Sequence, residues 1–213
     1  MIEEHLIEIL LVVGIALVPA IILHEYAHGW VANRLGDPTA KLLGRLTFNP
    51  LKHIDPVGSV IIPGLLLFAY LSGWTRSLLL FGWAKPVPVN FSRLRQPRRD
   101  MMLVAAAGPA INILLALLLA LVLRSGLFPS VVNAVLFWAI QLNLVLAVFN
   151  MVPIPPLDGS RIISGLLPRE AAIFYNRLEP YGILFVLILL QLGFLRFIYP
   201  IVDMLTALLG VRP

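Results

Sequence analysis

Cysteine is absent from the 213 residues, which excludes disulfide staples and thiolate metal ligands and leaves histidine and carboxylate as the metal-holding side chains. Charge is scarce as well. Lys, Arg, Asp and Glu make up 13% of a chain that is 60% hydrophobic, and a soluble domain of this size has no means of hiding so much apolar surface. Internal repeats, low-complexity tracts and nucleic-acid motifs are all missing. The formal net charge of +5 sits in loops between apolar runs, a pattern that suits anionic lipid headgroups and excludes a nucleic-acid partner. The opening residues Met1-Ile2-Glu3-Glu4-His5 lack a basic region and a small-residue cleavage site, so the first apolar run is expected to stay in the mature chain.

What is present is long apolar segments. Residues 6–31 are long enough to cross a bilayer as a helix, with Pro19 expected to kink it one turn before its polar end. Glu3, Glu4 and Glu8 precede this run, while Arg34, Lys41, Arg45 and Lys52 follow it, which puts the N-terminus outside and the end of the helix at the cytoplasm. Residues 33–56 read as a polar connector. Residues 57–75 are uncharged but broken by Gly58, Pro63, Gly64 and Gly73; with the apolar piece 77–84 they are expected to form a re-entrant or two-legged hairpin that enters and leaves on one side. Residues 101–123 form the clearest spanning helix, and 131–151 the return. Residues 181–195 predict one more crossing ending at Arg196, and 197–211 either cross back or lie in the interface. The fold class expected is an all-α integral membrane protein, a polytopic bundle of about four to six membrane segments. It is read as one membrane-embedded domain over 1–213, with a catalytic core of about 6–165 and a C-terminal helical segment of about 180–211.

The chemistry concentrates at His24-Glu25-Tyr26-Ala27-His28. Four residues apart on a helix, His24 and His28 share a face and can direct ring nitrogens at one ion. Glu25 is placed about 100° round the helix, near enough to take a proton from a water at that ion without ligating it. A catalytic zinc takes three protein ligands, and Asp158 is the best candidate for the third, because the run ending near Asp158 and the helix ending at His28 finish on the same side. A carboxylate just inside a membrane is costly unless paired or metal-bound. Three prolines, Pro153, Pro155 and Pro156, unwind the backbone before it. Asn112, Asn143 and Asn150 are amides at membrane depth. Each serves as interhelical glue or faces the site, Asn112 and Asn150 being the candidates for substrate or oxyanion contact. His53 is a candidate substrate contact or a solvated loop histidine.

The motif at His24 to His28, with Asn150-Met151-Val152-Pro153-Ile154-Pro155-Pro156-Leu157-Asp158-Gly159 at the end of another helix, resembles the site-2 protease family of intramembrane zinc metalloproteases. Asn150, Pro153, Pro155, Leu157, Asp158 and Gly159 match every specified position of that family's N-x-x-P-x-P-x-L-D-G signature, and Gly108 with Asn112 matches its G-x-x-x-N element. The resemblance implies one zinc per chain held by His24, His28 and Asp158, with Glu25 as base and then acid. It implies substrates that are membrane-spanning helices cut near the cytoplasmic side, in a multi-pass protein of the cell membrane. No PDZ domain is expected, and in this the sequence is similar to the short, compact branch of the family. Two other readings are a membrane metal transporter and a non-catalytic protein that binds membrane helices; a transporter has no need of Glu25 beside the first histidine. The oligomeric state is not fixed by the sequence.

Overall fold

The computed structural model describes residues 13–75 and 82–211. The start of the expected first helix and most of the apolar piece 77–84 lie outside them. A wide π-type turn, Val13–Leu17, leads into α1, Val18–Arg34. Pro19 stands at the head of α1, so the wider turn absorbs the backbone donor that proline lacks. A short helix α2, Thr39–Leu42, and a 3-10 turn, Pro50–Lys52, follow in the connector.

The π-type stretch Pro56–Ile61 continues into α3, Ile62–Leu71. Asp55 starts it, accepting from the backbone N–H groups of Val57 and Gly58. Together these 16 residues rise about 24 Å, short of the ~30 Å hydrocarbon thickness. The chain is without helix or ladder over residues 82–90, and Trp83 N–H donates to Gly58 O at 3.1 Å. The outgoing helix and the returning segment therefore meet at their base.

α4, Pro97–Arg124, is the hub of the bundle and packs against α1, against α5, Ser130–Asn150, and against α6, Asp158–Leu166. Its buried residues Ala105, Gly108, Asn112, Ala116 and Ala120 recur at helical spacing, giving a seam of small side chains that lets neighbouring backbones approach closely. Among the described residues the elements are helical throughout, and four stretches are long and apolar enough to span a membrane: Gly14–Arg34, Pro97–Arg124, Ser130–Asn150 and Arg169–Gln191.

The crossing expected over 181–195 ends earlier, within the apolar stretch Arg169–Gln191. Helix α7, Arg169–Asn176, a 3-10 turn at Glu179–Tyr181 and α8, Gly182–Gln191, precede a turn at Gly193, whose φ of 74° suits glycine. Arg196 lies beyond that turn, at the start of α9, Leu195–Leu208. α9 runs along the bundle: Phe194 and Phe197 at its start lie beside Val148 and Pro153, and Arg124, at the far end of α4, reaches Leu209 O. Ile198 and Val202 join Ala116, Ala120, Ile140 and Leu144 in one apolar core.

Candidate metal centre

α1 presents His24 and His28 as its chemistry-bearing buried residues, their rings edge to face with centroids 4.6 Å apart. Asp158 arrives from the other side, as the first residue of α6. Between α5 and α6 the proline-rich segment leaves the helix and folds back so tightly that a Cβ on Gly159 would run into the Met151 carbonyl and lie 2.6 Å from Val152 O. Asp158 Oδ2 stands 3.1 Å from His24 Nε2 and 3.3 Å from His28 Nε2. One donor atom from each of the three residues lies within 4.8 Å of the other two.

The outer nitrogens of both rings are spoken for. His24 Nδ1 donates to Asn112 Oδ1 at 2.6 Å and His28 Nδ1 donates to Val104 O at 2.7 Å. Both acceptors are carbonyl oxygens, so the protons sit on Nδ1 and each Nε2 turns a lone pair inward. Asn112 is fully buried. Its amide is fixed in turn because Nδ2 donates to Asn143 Oδ1 at 2.9 Å, and Asn143 Nδ2 donates to Ala139 O at 2.8 Å. A relay of amides thus runs from α5 through α4 to a candidate ligand on α1.

Three donor atoms brought this close together suit a cation held between them. Asp158 Oδ2 is buried and finds no hydrogen-bond partner. A Cβ on Gly108 would lie 2.6 Å from His24 Nε2 and closer still to His28 Nε2, so the glycine keeps open the space the two ring nitrogens face. Two imidazoles and a carboxylate are a nitrogen and oxygen donor set suited to zinc, with room for a fourth position.

Glu25 does not join the donor set. Its Oε2 accepts a 2.7 Å hydrogen bond from Val87 N–H, where the returning segment crosses α1. Gly29 makes that crossing possible, since a Cβ there would lie 2.7 Å from both Val87 Cγ1 and Leu46 Cδ2. His24, Glu25, His28 and Asp158 line one cavity of about 310 Å³, with Pro86, Val87, Val89, Phe91, Asn150, Pro156 and Arg161 among its other walls.

Of the sequence-derived candidates, Asn150 lines this cavity while its Nδ2 donates to Leu146 O. Asn112 acts from behind His24. His53 is buried, donates Nε2 to Thr47 O at 2.9 Å and does not line the cavity, so it is neither a solvated loop histidine nor a neighbour of the ligands. Sequence reasoning missed Arg161, which pairs with Glu179 and stacks over the Phe91 ring. Its spacing of three from Asp158 on α6 was the available signal. Residues 85–90 are readable in the sequence as an edge for an extended substrate, but the contact of Val87 N–H with Glu25 is not.

The profile of Peptidase family M50 matches residues 125–192. The Bacillus subtilis protein named "Putative zinc metalloprotease YwhC" is 40% identical over 184 residues, covering 82% of this chain and 78% of that protein. The chain belongs to Peptidase family M50. Two further relatives are more distant: "Putative zinc metalloprotease Rip2" of Mycolicibacterium smegmatis, 31% identical over 79% of this chain and 62% of its own length, and "Zinc metalloprotease MJ0392" of Methanocaldococcus jannaschii, 24% identical over 75% of this chain and 35% of its own. No solved structure matches the chain.

Proposed function

We propose that this M50 peptidase is an intramembrane zinc metalloprotease that hydrolyses peptide bonds in or beside membrane-spanning helices, with His24, His28 and Asp158 holding the zinc and Glu25 moving the proton. The observation that carries the reading is the inward convergence of three lone-pair donors beside a carboxylate that is not one of them. Bound there, zinc supplies a Lewis acid that polarises the scissile carbonyl and acidifies water toward neutrality.

The chain's own residues do the rest. One oxygen of Glu25 is held by Val87 N–H, leaving the other to take a proton from the attacking water and later to deliver it to the leaving amine. Asn112 and Val104 O hold the two imidazoles in the ligating tautomer. Asn150, in the cavity wall, is placed to contact the substrate backbone. A helix offers no free carbonyl, so the substrate is read in an extended form, and residues 85–90 are the extended wall against which it lies. Val89 N–H has no partner among the described residues. The basic residues that follow α1 and α6, including Arg34, Arg45 and Arg161, support an orientation with the site toward the cytoplasm of a cell membrane under the positive-inside rule.

Reconstituted protein is expected to cut a membrane-spanning test substrate and to lose that activity with a zinc chelator, regaining it with added zinc. Efficient cutting of soluble unstructured peptides with no action on spanning ones would overturn the intramembrane part of the reading.

A further inference from the structure

Residues 85–90 form a short extended strap laid over the zinc helix α1, and it is fastened at both ends by buried charged side chains that line no part of the site cavity. At one end Arg45 Nη2 donates to Lys85 O at 2.8 Å and to Pro86 O at 3.2 Å. At the other, fully buried Asp37 accepts Asn90 N–H on Oδ2 at 2.6 Å. Asp37 is itself fixed to α1, its N–H donating to Ala32 O at 2.9 Å. Its second oxygen serves the local turn by accepting from the N–H and hydroxyl of Thr39. Between the two anchors, Val87 N–H meets Glu25.

A single hydrogen bond in a loop does not hold a carboxylate in one place; a segment pinned on either side does. Proline at positions 86 and 88 stiffens the strap and removes two donors. Of the four remaining amides, Lys85 donates to His53 O, Val87 to Glu25 and Asn90 to Asp37, so nearly every donor the strap has is spent on fixing it.

We propose that Asp37 and Arg45 are positioning residues of this enzyme: by anchoring the ends of the strap they set where Val87 N–H stands, and through it the placement of the Glu25 carboxylate. The proposal rests on the reading of Glu25 as the proton carrier. The alternative role for Asp37, stabiliser of the Gly36-Asp37-Pro38 turn, belongs to its Thr39-facing oxygen and is separable by mutation.

The test is hydrogen–deuterium exchange of the residue 85–90 amides in zinc-loaded protein, read together with zinc content and cleavage rate at saturating substrate. In wild type the Lys85, Val87 and Asn90 amides are protected and Val89 exchanges fast. Asp37→Ala keeps its zinc, releases Asn90 and Val87 together by about tenfold or more, and slows cleavage by about ten- to a hundredfold, the cost of a misplaced catalytic group. Arg45→Met does the same from the other end, and Arg45→Lys, which keeps a donor, recovers most of both. Thr39→Val, which removes the hydroxyl donor of the turn contact and keeps its N–H, leaves protection and rate as in wild type. Val87 protection and a rate within about twofold of wild type in both Asp37→Ala and Arg45→Met overturn the proposal, as does a Thr39→Val variant that reproduces the Asp37→Ala effect. If Asp37→Ala does not fold, the Arg45 pair decides. Failure of the Glu25 reading shows separately, as cleavage by Glu25→Gln, and leaves the exchange pattern standing.

Discussion

Gly108 shows how much one missing side chain decides. It was legible in the sequence as a small residue permitting close helix contact, one turn before Asn112 on the same face. That the close contact is with the two imidazoles themselves is a tertiary fact, set by how α4 lies against α1. Gly108→Ala is expected to keep its helix content by circular dichroism while its zinc affinity falls by about 10- to 100-fold or more, measured as metal retained against a competing chelator. The histidine pair and Glu25 were legible for a simpler reason: their geometry follows from helical spacing alone. Asn143 was legible as an interhelical amide, but its partner was not, because it meets Asn112 across 31 residues of chain.

At the scale of elements, the corner from α5 to α6 and the strap over α1 are built differently. Prolines 153, 155 and 156 announce that a helix must end, and Gly159 announces a close backbone approach. The corner was therefore readable from composition, although its partner, the Met151 carbonyl, was not. Gly159→Ala is expected to destabilise the protein by about 1–3 kcal/mol, since the obstacle is backbone and cannot rotate away; thermal unfolding in detergent measures it, and loss of zinc should accompany it because Asp158 is the adjoining residue. The strap carries a weaker signature. Alternating prolines predict an extended segment, but its position depends on bonds to Glu25, Asp37 and Arg45, which lie 40 to 62 residues away in sequence. The C-terminal run was legible in part for a related reason: hydropathy registers the apolar residues on both sides of Gly193 without registering the turn between them.

For the molecule as a whole, the absence of cysteine makes topology directly measurable. The loop around Ser125, where α4 ends, and Ser92, beside the strap, lie at opposite ends of α4. Single cysteines placed at these two positions are expected to react with a membrane-impermeant thiol reagent from opposite faces, Ser92→Cys from the cytoplasmic side and Ser125→Cys from outside; labelling from the same face would contradict the bundle's orientation. The proposed chemistry turns on a division of labour, in which His24, His28 and Asp158 hold the metal and Glu25, tied to a different part of the chain, moves the proton. The most direct test compares wild type with Glu25→Gln after reconstitution, recording zinc content and cleavage of a membrane-spanning substrate in the same samples. The account predicts that the variant keeps about one zinc per chain, like the wild type, and cuts nothing. Loss of the metal from Glu25→Gln, or undiminished cleavage by it, would contradict the assignment.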